Sequence, residues 1–183
     1  MSHELVNANP YAFLDDAPLE ERRARAVSIR RGTTIDAVRD LGRLEPAAIE
    51  QVREEAWPIV RDADELHDVL LSLIVVPAET GSDWRGWFDQ LRRAGRATTL
   101  RTPEGRTFWL AAEKQPAASA LFAEGVLEPE VPLTGEWAAS VEDSVAATAV
   151  LRGWLPSLGP TSVTRLAALL GLAESRVGAA LDS

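Results

Sequence analysis

Leu66, Val69, Leu70, Leu73 and Ile74 recur three and four residues apart, the spacing of one buried helix face. The pattern predicts a helix over about 63–74, with Asp62 or Asp64 as its cap. Upstream, Ile49, Val52, Ala56 and Trp57 share a face of a second predicted helix, opened by Pro46 and closed by Pro58. Trp84, Trp87, Phe88 and Leu91 mark a third, over about 83–94, with Gly95 as its stop. The period then falls to two. "ATTLRT" and "RTFWLAA" read as strands joined across "PEG" by a tight turn.

Residues 113–135 break this order. Pro116, Pro129 and Pro132 with scattered glutamates predict an irregular linker, relieved by one helical turn at "ASALFA". A further helix is expected over about 141–155. After it, a cap at Thr161 or Ser162 starts a short helix with Val163, Leu166 and Leu170. Gly171 turns the chain into a last helix near Ala173, with Val177 and Leu181 inward. Near the N-terminus, Tyr11, Phe13 and Leu14 form an apolar patch. It leads into a charged helix capped by Asp16 and ending near Arg31.

Three helices followed by a hairpin is the order of a winged helix. The fold class expected is therefore mainly α with a small β hairpin, in tandem winged-helix or helix-turn-helix modules, the second lacking its wing. Residues 1–44 read as a connector with an N-terminal helix and 45–112 as a winged-helix module. Residues 113–135 read as an acidic proline-containing linker, and 136–183 as an incomplete second module.

Charge changes the picture more than composition does. The 183 residues carry a net charge of −9, which argues against a surface that binds nucleic acid everywhere. Yet residues 84–110 hold Arg85, Arg92, Arg93, Arg96, Arg101 and Arg106 against Asp89 and Glu104. Acidic stretches flank this basic island on both sides. With no cysteine, disulfides, thiolate metal sites and cysteine nucleophiles are excluded, and a reducing cytoplasm is the expected compartment. The longest apolar run, 69–78, is interrupted by Ser72 and Pro77 and is too short for a bilayer, so no membrane partner is expected.

Three segments carry a resemblance: "ELVNANPYAFLDDAPLEERRARAV", "DLGRLEPAAIEQVREEAWPIVRDADELHDVLLSL" and "GRATTLRTPEGRTFWLAAEK". Together they resemble consecutive parts of the large helicase-related (Lhr) family of ATP-dependent helicases. The matching region runs from the end of the helicase core into a C-terminal extension of repeated winged helices. The resemblance implies that the N-terminal stretch is a joint between core and extension. It also implies that the chain is a non-catalytic, nucleic-acid-positioning part of such an enzyme. DNA is the more expected partner than RNA. A protein–protein interaction or homo-oligomerisation module of the same helicase is the alternative. The motor itself is not expected here. Lys114, the single lysine, stands in "AAEKQP" with no glycine-rich phosphate loop before it, and there is no Asp-Glu-x-His box. No cofactor, metal or catalytic residue is assigned, and no residue matches a DNA glycosylase motif.

The six arginines are the candidate nucleic-acid contacts, through phosphates. Solvated charge explains them equally, since Asp89 stands four from Arg85 and four from Arg93. Trp84, Trp87 and Trp109 could stack on single-stranded bases, but Trp84 and Trp87 share a face with Phe88 and Leu91, a core pattern. His67 with Asp64, Glu65 and Asp68 could form an acid–base or metal cluster, but a solvated, capped helix face accounts for all four. For the Asp15–Asp16 pair, capping by Asp16 is sufficient.

Overall fold

The computed structural model describes residues 46–183. The expected connector, its helix over 16–31, the apolar patch and Asp15–Asp16 lie outside the described residues.

Helix α1 (Pro46–Ala56) opens on its proline. Helix α2 (Ala63–Leu73) is capped by Asp62, whose carboxylate accepts the Glu65 N–H at 2.9 Å. Glu65 reaches back to accept the Arg61 N–H at 2.8 Å, a reciprocal exchange of the capping-box kind. Ala63, Leu66, Leu70 and Leu73 are buried, as the periodicity requires. The helix stops one residue before Ile74, which lies at φ 66°, ψ −57°. There the Val75 N–H donates to the Leu73 carbonyl at 2.8 Å, closing a γ-turn. That turn swings the chain into strand β1 (Val76–Pro77).

A single helical turn, Ser82–Trp84, precedes α3 (Arg85–Arg93). Gly95 closes α3 at φ 69°, with Gly95 N–H to Arg92 O and Arg96 N–H to Leu91 O, the paired bonds of a Schellman motif. Strands β2 (Ala97–Arg101) and β3 (Thr107–Ala111) form the expected hairpin, in register from Ala97–Ala111 to Arg101–Thr107.

The segment 113–135 departs from the irregular linker that its prolines suggested. It contains α4 (Gln115–Leu121) and strand β4 (Val126–Glu128). Pro116 falls in the first turn of α4, where its missing N–H leaves no hydrogen bond unmade, so it starts the helix instead of breaking it. β4 pairs with β2 through Thr99–Glu128, Leu100–Leu127 and Arg101–Val126. The hairpin is thus the centre of a four-stranded antiparallel sheet ordered β1-β3-β2-β4. A second helical turn, Gly135–Ala138, leads towards α5 (Asp143–Leu158). Helix α6 (Val163–Leu170) is capped by Ser162, and Gly171, at φ 67°, turns the chain into α7 (Glu174–Leu181). Val177 is buried as expected; Leu181, expected inward, is exposed in the last turn.

The described part is mainly helical with this small sheet. Buried residues from Ala63 to Val177 belong to one hydrophobic cluster, and Ala47–Ser183 is one compact unit. The segments expected as separate modules therefore share a core. Helix α5 buries Ala146, Ala147, Val150, Leu151 and Trp154. The Trp154 Nε1–H donates to the Val75 carbonyl at 3.0 Å, just after α2. Gly153 lies so close to Ser72 that an added Cβ would stand 2.0 Å from its carbonyl oxygen. No helix among the described residues is long and apolar enough to cross a membrane.

Candidate nucleic-acid interface

The six arginines fall into three environments. Arg92 and Arg93 occupy the last turn of α3. Phe88 and Leu91 turn that helix inward, so both arginines are left exposed. Arg93 donates to the Asp89 carbonyl at 3.1 Å, and Arg92 reaches the Glu128 carbonyl at 3.4 Å. Together with Asp89 and Pro129 they line a shallow depression beside β4. Arg101, at the end of β2, meets the Glu128 carboxylate at 3.3 Å. Arg92 and Arg101 thus converge on one residue of β4, and Arg93 adjoins them.

Arg96 and Arg85 stand apart from that group. Arg96 pairs with Asp64 of α2 at 2.5 Å. Arg85, at the start of α3, lies over the Trp109 ring at 5.7 Å. The Arg96–Asp64 and Arg101–Glu128 pairs are exposed, and an exposed ion pair is held by about 0–1 kcal/mol, which a phosphate can outbid.

Arg106 has a different task. It donates to the carbonyls of Ala168 and Leu169, at 2.8 and 2.7 Å, and so ties β3 to the C-terminal end of α6. Its guanidinium also lies over Phe108 and 3.9 Å from Glu79. Two directed bonds to helix carbonyls are the signature of a structural clamp. Nothing in the sequence signals this use, because the carbonyls come from 62 and 63 residues away.

The tryptophan pattern resolves towards the core. Trp84 and Trp109 are buried. Trp84 stacks on Trp57 at 5.3 Å, and Trp109 on Phe88 at 4.1 Å. Trp87 is half-buried against the same cluster. Trp84 and Trp109 present no open face for a base. Two of the acids around His67 also find other partners. Asp64 takes Arg96, and Glu65 takes Arg61, whose guanidinium holds the Glu65 carboxyl below its usual pKa. His67 itself is buried, with its Nε2 3.3 Å from Glu113 of the turn before α4. That cross-chain partner lies 46 residues away and was not among the neighbours its own helix offered.

No protein-family model matches this chain, and no curated protein matches it significantly.

Proposed function

We propose that the chain is a non-catalytic nucleic-acid-binding module, of winged-helix type, from the C-terminal extension of an Lhr-type helicase. One observation carries the reading: Arg92 of α3 and Arg101 of the hairpin, both exposed, meet at Glu128, with exposed Arg93 next to Arg92 on the helix. A helix and the hairpin after it are the two elements through which a winged helix meets a duplex. The β1-β3-β2 part of the sheet order, with α3 between β1 and β2, is consistent with that fold. One helix with a preceding turn stands where two would be usual.

The second helix pair is a poor reader by comparison. The exposed residues of α7 include Glu174, Ser175 and Ala179, Asp182 follows it, and Arg176 turns inward to the carbonyls of Leu121 and Ala120. Phosphate binding is therefore assigned to the α3–hairpin face alone, with DNA as the favoured ligand. The missing phosphate loop leaves ATP hydrolysis to other parts of such a protein.

Anisotropy titration of a labelled DNA duplex at several salt concentrations tests the reading. With three phosphate-facing arginines, log K should fall against log salt with a slope of about −2 to −3. Arg92→Glu with Arg93→Glu should abolish most of that binding. Arg106→Ala should leave binding intact and lower thermal stability instead. Binding that is indifferent to salt, or unaffected by the Arg92/Arg93 change, refutes the assignment.

A further inference from the structure

Beside β4 the surface changes character. The chain from Pro129 to Ala138 forms a strap across the start of α4, and it is fastened by a side chain. Gln115, buried at 5 % exposure, donates from its amide nitrogen to the Val131 carbonyl at 2.7 Å. Its amide oxygen accepts the Val131 N–H at 2.8 Å. Further up the strap, the Thr98 hydroxyl donates to the Pro129 carbonyl. Under the strap runs an open groove of about 610 Å³, whose lining is Pro116, Leu127, Val131, Pro132, Leu133 and Ala138 together with the polar Gln115, Ser119 and Glu130. Next to it in the chain, Trp137 of the turn Gly135–Ala138 is half exposed. It is the one tryptophan of the described chain that the core leaves in solvent.

An exposed indole one residue along the chain from the lining of a preformed groove that mixes aliphatic and proline residues with polar ones suits an anchor point of a protein–protein contact. The groove is held in shape before any ligand arrives, which lowers the entropic cost of binding. Charge then selects the occupant. Residues 111–147 hold seven acidic residues against Lys114. Of these acids, Glu128 faces Arg101 and Asp143 faces Arg176, whereas Glu130 and Glu136 have no ion pair among the described residues. A phosphate backbone is repelled here, and a cation is favoured both by these carboxylates and by the face of the Trp137 ring.

We propose that the groove under the 129–138 strap, with Trp137, is a docking site for an extended peptide segment of a partner protein that alternates arginine or lysine with aliphatic or proline residues. This surface adjoins the arginine face on α3 at Pro129 but does not depend on the nucleic-acid reading. The two could operate side by side, one holding phosphate and the other a protein.

The test uses the full 183-residue chain and short fluorescein-labelled probes: a repeating Arg-Leu-Pro peptide, a repeating Arg-Gly-Ser peptide, a repeating Glu-Leu-Pro peptide and oligothymidylate. The Arg-Leu-Pro probe should bind, and the other two peptides should bind at least about tenfold more weakly. Trp137→Ala should cost the Arg-Leu-Pro complex about tenfold or more in affinity. Glu130→Lys should weaken the same complex and leave thermal unfolding unchanged, which guards against a folding defect in the tryptophan variant. No binding of Arg-Leu-Pro overturns the proposal. So does equal binding of Arg-Gly-Ser or Glu-Leu-Pro, which would reduce the site to charge or greasiness alone. Insensitivity to both substitutions, or loss of oligothymidylate in place of peptide on Trp137→Ala, overturns it as well.

Discussion

Two arginines and one glycine decide how the halves of the described chain meet. Arg106 clamps the last carbonyls of α6, and Arg176 does the same to α4 through Leu121 and Ala120. Each places a fork of donors where a helix leaves carbonyls unpaired and carries negative potential. Asp143 pairs with Arg176 from the start of α5, so that clamp draws α4, α5 and α7 together. Gly153 serves the same junction by having no side chain. In an exposed helix, glycine to alanine gains about 1 kcal/mol of propensity. Here the new Cβ would fall 2.0 Å from the Ser72 carbonyl oxygen, a contact with backbone that no rotamer change relieves. Gly153→Ala should therefore destabilise the protein by at least about 2 kcal/mol, outweighing the propensity gain. Urea unfolding followed by circular dichroism measures it; an increase in midpoint would show that α2 and α5 are not in contact at this point.

The elements show which local rules were sufficient. Helix α2 begins where Asp62 accepts the Glu65 N–H, and its stop is decided by the γ-turn at Ile74. The capping contribution is local and can be isolated. Asp62→Ala should cost about 1 kcal/mol, and Asp62→Ser should restore most of it. Equal melting temperatures for parent and alanine variant would mean that the carboxylate does not cap α2 in solution. Strand β4 shows the opposite case. Val126–Glu128 is three residues long, too short for its sequence to announce a strand, and it exists because β2 offers a free edge and the Thr99 hydroxyl donates to the Glu128 carbonyl at 2.7 Å. Gln115 then holds the chain beyond the strand through both polar groups of Val131. A short strand flanked by glutamates and by Pro129 also makes a poor template for further strand pairing, so the sheet ends there.

At the scale of the whole described unit, cooperativity is the consequence of the shared core. Helices α2 and α5 meet at Gly153 and Trp154, and Trp57, Trp84 and Trp154 form a continuous aromatic contact across α1, α3's leading turn and α5. Neither half can lose these partners without exposing large apolar surface. Tryptophan fluorescence and far-ultraviolet circular dichroism should therefore report a single coincident urea transition for residues 47–183. Two separated transitions, with 136–183 melting first, would restore the picture of two independent modules. The same packing gives α7 a surface to bury against without a wing. Val177 is buried, and Arg176 anchors the helix to α4, so the last helix is held from outside its own helix pair.

The sequence by itself determined what depends on neighbours within a few residues. Periodicity located α1, α2, α3 and α5, the glycines at 95 and 171 marked turns of positive φ, and alternation placed the β2–β3 hairpin. It also located the arginine island, because charge is additive along a chain. Tertiary structure alone decided what each charge does. Arg92 and Arg101 both reach Glu128, whereas Arg106 is turned to carbonyls more than sixty residues away and Arg96 to Asp64. The same holds for His67, whose partner is Glu113, and for β1 and β4, strands too short to carry a period of their own. The physical reason is common to all of them. A hydrogen bond or a strand pairing needs a second partner in space, and local sequence specifies only the first.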